Sequence, residues 1–256
     1  MRIALFSDVH ANLPALEAVL RTLAGRDDID ATYHLGDLVG YAPWPDEVIE
    51  RLRDAAIPGV AGNYDSAIAA HDTHCGCRHD DARQEALAHQ AFDWTLAHTS
   101  DRSKRFLGWL PFRIDIRPRG GHVAGPTIRL VHGNQALNSV YVMEDCSDDT
   151  LATMGNTLGA GPGDIVCFGH THRPWRRGVG GVHFVNVGSV GRPKDGDPRA
   201  TCVLLDVAEE TVGVEFVRVE YDVEATARAI VESGLPDEFA EYLRTGGALA
   251  HAFAHT

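Results

Sequence analysis

Short β-branched and aliphatic runs recur along the chain, at Ile3 to Phe6, Ala31 to Leu35, Ile57 to Ala61, Thr127 to Val131, Ile165 to Phe168, His183 to Val187, Thr201 to Val207 and Val212 to Val219. Runs of this length between turn residues predict strands. Helical spacing lies between several of them. Leu16, Val19, Leu20 and Leu23 share one face of Leu13 to Ala24, Val48, Ile49 and Leu52 share one face of Pro45 to Ala55, and Arg83 to His98 forms a third pattern. Strand and helix alternate through the first half, which predicts α/β layering with a mainly parallel sheet. Two more helices are expected at about residues 222–246: Val223 to Ser233, stopped by Gly234, and Asp237 to Arg244, stopped by Gly246 and Gly247. They are expected to pack on the core, with the tail 248–256 frayed. Arg117 to Pro126 is rich in Gly and Pro and predicts a loop. No repeat or low-complexity linker divides the chain, so a single domain over residues 1–256 is expected.

Polar residues of a restricted kind follow five of these strands. Ile3 to Phe6 runs into Ser7-Asp8-Val9-His10, Ala31 to Leu35 into Gly36-Asp37, and Ile57 to Ala61 into Gly62-Asn63. Thr127 to Val131 runs into His132-Gly133, and Ile165 to Phe168 into Gly169-His170-Thr171-His172. Open α/β sheets bind ligands outside the carboxyl ends of their strands, so these residues are placed to converge. Asp, His and Asn offer carboxylate, imidazole and amide donors, a set suited to Mn, Fe, Zn or Ni rather than to soft thiolate chemistry. Seven such ligands with one shared carboxylate suffice for two metal ions about 3.5–4 Å apart.

Charge sharpens this reading. The formal net charge is −13, from 36 acidic and 23 basic residues. Such a surface repels polyanions, so stable nucleic-acid binding is not expected, and an anionic substrate needs local cations to receive it. The five cysteines are odd in number and mostly scattered, which argues against a disulfide framework. No apolar run approaches the length of a membrane span, and MRIALFSDVH lacks the character of a signal peptide; a cytoplasmic protein is expected.

The ordered set Asp8-x-His10, Gly36-Asp37, Gly62-Asn63, His132-Gly133 and Gly169-His170-x-His172 resembles the calcineurin-like metallophosphoesterases. Asn186-Val187-Gly188-Ser189 looks like the N-x-G-S loop of their compact bacterial, YfcE-like phosphodiesterase branch. The resemblance implies a four-layer α-β-β-α sandwich with two mixed β-sheets. It further implies that Asp8, His10 and His172 hold one divalent metal, that Asn63, His132 and His170 hold another, and that Asp37 bridges them. A hydroxide between the metals would then attack phosphorus in line, so the implied activity is metal-dependent phosphoric ester hydrolysis on a small phosphate ester.

Within the third motif, Asp65 fits the acidic position that closes the family's G-N-H-D/E sequence, and Tyr64 stands where many relatives carry a His that helps the leaving group depart. A phenol of pKa about 10 donates a hydrogen bond but shuttles protons poorly at neutral pH. Members of the compact branch that lack this His resemble phosphodiesterases at least as much as phosphomonoesterases, so the resemblance implies a phosphodiester or an activated phosphate ester as the substrate. A phosphoprotein phosphatase, a dinucleoside polyphosphate hydrolase and a non-catalytic scaffold of the same fold are the alternatives. Asn12 reads first as the cap of the first helix and second as a substrate contact. Tyr41 reads as a substrate-pocket residue or as packing against Trp44. His71, His74, Cys75, Cys77 and His79 crowd one connection that reads as a loop, a lid or a zinc site, while Arg192, Lys194 and Arg199 read as surface or as contacts to substrate phosphates or carboxylates.

Overall fold

Side chains of a strand alternate between two faces, and here that alternation sets the layers. The structure is a computed structural model that describes residues 1–77, 81–117, 125–208 and 211–247. In chain order its elements are β1 (Arg2–Phe6), α1 (Leu13–Ala24), β2 (Ala31–His34), α2 (Pro45–Asp54), α3 (Asn63–Ala70), α4 (Ala82–His98), α5 (Asp101–Leu107), β3 (Ile114–Ile116) and β4 (Ile128–Leu130). There follow α6 (Asp148–Leu158), β5 (Ile165–Phe168), β6 (Pro174–Val179), β7 (Val182–Val187), β8 (Ala200–Val207), β9 (Val212–Val219), α7 (Val223–Glu232) and α8 (Glu238–Arg244).

The strands form two sheets, ordered β2-β1-β8-β9 and β3-β4-β5-β7-β6. Ile3 and Leu5 of β1, Ile165 and Cys167 of β5, and Val203 and Leu205 of β8 point between the sheets into one buried cluster. The alternate residues Ala4, Phe6, Cys202 and Leu204 pack outward against α1, α2, α7 and α8. On the far side, Val166, Phe168 and Phe184 pack against Leu151, Met154 and Leu158 of α6. Both sheets are thus buried on both faces, which is why their strands read as continuous apolar runs. The result is a mixed α/β fold with two facing mixed sheets, as the motif resemblance implied.

The expectation of a mainly parallel sheet is corrected. Pairs β1–β2, β4–β5 and β5–β7 are parallel, but β1–β8, β3–β4, β6–β7 and β8–β9 are antiparallel. Gly180 and Gly181, both at positive φ, supply the tight turn that folds β6 back on β7. Ile57 to Ala61 is not a strand; it makes one parallel bridge, His34 to Gly59, because Pro58 has no N–H to continue a ladder. Strands β3 and β6 and helices α3, α5 and α6 were not anticipated. The predicted loop is described only outside 118–124, and His79 and the tail 248–256 lie outside the described residues. No helix among the described residues is long and apolar enough to cross a membrane.

This arrangement brings four polar strand ends to one edge. The Asp8 N–H donates to the Gly36 carbonyl at 2.9 Å, joining the loops after β1 and β2, and the Gly169 N–H donates to the His132 carbonyl at 2.9 Å, joining those after β4 and β5. His34, closing β2, is fully buried, and neither ring nitrogen has a hydrogen-bond partner.

Burial pushes the His34 imidazole down to about 3. Its folded pKa is depressed, so stability is unaffected above the unfolded value of about 6.5 and falls as pH drops toward 3, because only the unfolded chain takes up the proton. The slope for one such group reaches about 1.4 kcal/mol per pH unit. His34→Leu is expected to flatten the urea midpoint against pH across that window by up to that amount. An unchanged profile would assign the acid sensitivity elsewhere.

Candidate active site

The loops that carry the predicted ligands are held in a backbone conformation that ordinary residues avoid. Asp8, His10, Asp37, His170 and His172 have φ of 54°, 48°, 53°, 66° and 61°. Each non-glycine residue in this left-handed region costs roughly 1–2 kcal/mol, and such strain collects at functional sites. Close approach of backbone explains two of the intervening glycines. A Cβ on Gly62 would lie 2.1 Å from Asp37 Oδ1, and one on Gly169 would lie 2.5 Å from Asp8 Oδ2.

The predicted ligands do meet. Donor atoms of Asp8, His10 and His172 form one buried group and those of Asp37, His132 and His170 another, each group spanning no more than 4.8 Å. Asp37 Oδ2 lies 3.6 Å from His10 Nε2 and 3.5 Å from His132 Nε2, so one oxygen faces both groups. Its other oxygen accepts the Tyr64 N–H at 2.9 Å. Asp8 Oδ1 stands 3.3 Å from His172 Nε2 while Oδ2 accepts the His170 N–H at 3.0 Å. Asn63 points Oδ1 at His132 Nε2, 3.2 Å away.

Backbone carbonyls choose the tautomers. His10 Nδ1 meets the Val39 carbonyl at 3.0 Å, His132 Nδ1 the Leu35 carbonyl at 2.6 Å, and His172 Nδ1 the Arg192 carbonyl. A carbonyl only accepts, so in the neutral rings Nδ1 carries the proton and Nε2 aims its lone pair inward. His10 Nε2 and His172 Nε2 then face each other at 3.2 Å, as do His132 Nε2 and His170 Nδ1. The facing lone pairs of His10 and His172, together with a buried Asp8 Oδ1 that has no hydrogen-bond partner, fit a cation between them.

The titration pattern agrees. Burial pushes His10 and His170 down to about 3 and His172 well below its ordinary value, leaving neutral imidazoles suited to ligation. Burial and the nearby Asp37 raise Asp8 to about 7. Burial opposes charge on Asp37 and His132 too, but their mutual attraction outweighs it: Asp37 is held below its ordinary value and His132 is raised to about 10. Without a metal, a proton supplies the positive charge that this pair attracts.

The remaining predicted residues sort by contact. Asn12 Oδ1 accepts from the Ala15 N–H and the Thr226 hydroxyl, while Nδ2 donates to the Gly191 carbonyl and the Tyr221 hydroxyl. This fully buried side chain caps α1 and ties it to two other segments, with no polar valence left for a substrate. Asp65 accepts the Leu38 N–H at 2.8 Å and the Gly62 N–H at 2.9 Å. These two bonds position the loops bearing Asp37 and Asn63. Tyr64 is buried against Tyr41, Phe92 and the edge of His10, rather than directing its hydroxyl to solvent. Tyr41 lies edge-on to His10 at 5.0 Å and beneath the Arg192 guanidinium at 4.0 Å.

The cysteine-rich connection also reaches the site. The Cys75 carbonyl and Cys77 Sγ accept from Asn63 Nδ2 at 3.1 and 3.2 Å, fixing which end of the amide faces His132. His74, Cys75, Cys77, Glu85 and His89 line a cavity of about 160 Å³, but their donor atoms do not gather into a metal-holding group among the described residues. Tyr141, which the sequence reading missed, stacks on His170 at 4.3 Å, and no local pattern marks it. Asn186 braces the His170 loop by donating to the Gly169 carbonyl, and the Ser189 hydroxyl donates to the Asp8 carbonyl. Arg199 pairs with Asp197, whereas Arg192 and Lys194 lie beside the ligands.

Comparison with known proteins gives this geometry a lineage. Residues 1–210 match the calcineurin-like phosphoesterase superfamily domain. The chain is 30% identical to the uncharacterized protein MJ0912 of Methanocaldococcus jannaschii, over 95% of this chain and 98% of that one. The crystal structure of a metallophosphoesterase from Sphaerobacter thermophilus superposes with a TM-score of 0.73 at 31% identity, covering 96% of this chain and 99% of that one. The hypothetical protein PH1004 from Pyrococcus horikoshii shares the fold with a TM-score of 0.79 at 23% identity, covering 96% and 98%. With its paired Asp and His clusters at the strand ends, this chain belongs to the calcineurin-like phosphoesterase superfamily.

Proposed function

We propose that this protein is a two-metal phosphoesterase that cleaves a phosphodiester or an activated phosphate ester. The observation that carries the reading is Asp37 Oδ2, set at similar distances from an imidazole of each cluster. Asp8, His10 and His172 would hold one divalent ion, and Asn63, His132 and His170 the other, with Asp37 shared. Two such ions supply Lewis-acid charge for the phosphoryl oxygens and a nucleophile at neutral pH.

The chain's own residues set the rest. Carbonyl contacts fix three imidazoles before any ligand arrives, so little reorganisation is needed on binding. Cys75 and Cys77 fix the Asn63 amide. Burial raises Tyr64 well above the ordinary phenol value, so it stays protonated and offers no proton shuttle. A leaving group must therefore depart without help from this position, which favours activated esters. All seven ligand positions carry competent side chains, which disfavours a scaffold that has lost its chemistry.

Manganese-loaded protein is expected to hydrolyse bis(p-nitrophenyl) phosphate faster than p-nitrophenyl phosphate. Asp37→Asn should lower the diester rate by more than about 100-fold, beyond the range of changes outside the ligand shell, and reduce bound metal. A clear preference for alkyl monoesters or phosphoserine peptides would contradict the substrate reading.

Two neighbours in the third motif should behave differently. Tyr64→Phe should keep kcat for the diester within about 10-fold, short of the 10²–10⁴ expected when a general acid is lost. Asp65→Ala strands the Gly62 and Leu38 N–H groups and should lower unfolding free energy by roughly 1–3 kcal/mol for each left unsatisfied. Kinetics and urea melts of the same two variants check both, and a large kcat loss in Tyr64→Phe would make the phenol catalytic.

A further inference from the structure

We propose that Arg192 and Lys194 form a second anion site beside the metal ligands, and that the substrate carries a further phosphate or carboxylate besides the phosphate that reacts. The inference rests on the phosphoesterase reading and narrows its substrate class.

Both residues are tied to a ligand. The Arg192 carbonyl accepts from His172 Nδ1, and the Lys194 N–H donates to the His172 carbonyl at 3.3 Å. The Arg192 guanidinium lies 4.0 Å over the Tyr41 ring, with Tyr242 and Phe239 at 5.5 and 5.6 Å. Tyr41 in turn meets the His10 ring, so this cation is held one ring away from a ligand. Lys194 is half-buried and close enough to Asp8 and Cys77 to feel their charge.

Among the described residues neither cation has a carboxylate partner. Arg2, Arg51, Arg129, Arg177, Arg218 and Arg244 each pair with an acid, as an excess of acidic residues makes easy. Arg192 and Lys194 make no ion pair among the described residues, and Arg192 Nε is buried without a hydrogen-bond partner. Two divalent ions would already outweigh Asp8 and Asp37. A guanidinium and an ammonium beside them add positive charge that one singly charged diester does not neutralise, and like charges crowded together oppose binding of the metals. A second anionic group relieves that repulsion. Contact with three rings restricts where the guanidinium can sit, and its N–H groups suit a planar carboxylate or a phosphate. Phe239 and Tyr242 belong to α8, beyond the stretch matched by the family domain, which gives this C-terminal helix a part in the site.

The test is calorimetric titration of the manganese-loaded full chain with propylphosphonate, 3-phosphonopropionate and propane-1,3-diphosphonate. At least one doubly functional ligand is expected to bind at least about 10-fold tighter than propylphosphonate, a difference of about 1.4 kcal/mol. Which one does so distinguishes carboxylate from phosphate. Arg192→Gln and Lys194→Gln, checked for folding by thermal melts, should each remove most of that advantage; the half-exposed Lys194 keeps the test open if the Arg192 variant fails to fold. Equal affinities in the wild type, or an advantage that survives in both variants and leaves Arg192 as packing only, would overturn the proposal. An advantage in protein that turns over no diester would uphold the anion site and sink the hydrolase reading. Diester turnover without an advantage would do the reverse.

Discussion

The rest of the site depends on a buried carboxylate that two imidazole clusters share. Asp37 cannot sit uncompensated in a site where it is 2% exposed, because an isolated charge removed from water is strongly disfavoured. One of its oxygens is anchored by the Tyr64 N–H and the other faces His10 and His132. Anchoring one oxygen and leaving the other to the histidines joins the loops of two separate sheets around a cation-seeking centre.

Holding that centre requires local strain and close backbone contact. Five candidate ligand residues adopt left-handed backbone, and Gly36, Gly62 and Gly169 approach their neighbours so closely that a side chain would collide. The surrounding bonds offset that cost. Asp65 gathers two N–H groups, Asn186 and Ser189 brace the loops after β5 and β1, and three carbonyls, two after β2 and one after β7, orient three rings. The sheets beneath are apolar on both faces, so the loop ends rest on a base with little freedom to drift.

Around this centre the chain shows features of its own. Tyr64 occupies the third motif as a buried phenol, and Arg192 is clasped by Tyr41, Phe239 and Tyr242. These contacts connect the N-terminal loops, the loop after β7 and the last helix. They gather side chains beside the candidate ligands from segments distant in sequence, while the candidate ligands themselves keep to the strand ends.

By itself the sequence picked out the candidate ligand set, because metal ligation demands particular side chains and their place after apolar runs is visible locally. It determined α1 closely and the core strands nearly so, since their periodicity comes from burial on known faces. It also carried signals that went unread, such as Ser147 capping α6 and the Gly180-Gly181 turn of β6 and β7. Other features had no local signal. Ile57 to Ala61 has the apolar content of a strand, but Pro58 and the crowding of Gly59 on His34 limit it to one bridge. The spending of Asn12 on a cap, the burial of the Tyr64 hydroxyl, the stacking of Tyr141 and the lack of an ion pair for Arg192 and Lys194 among the described residues were decided by the tertiary structure. Each depends on which distant groups arrive beside the residue, and hydrogen bonding, burial and charge pairing are set by neighbours in space.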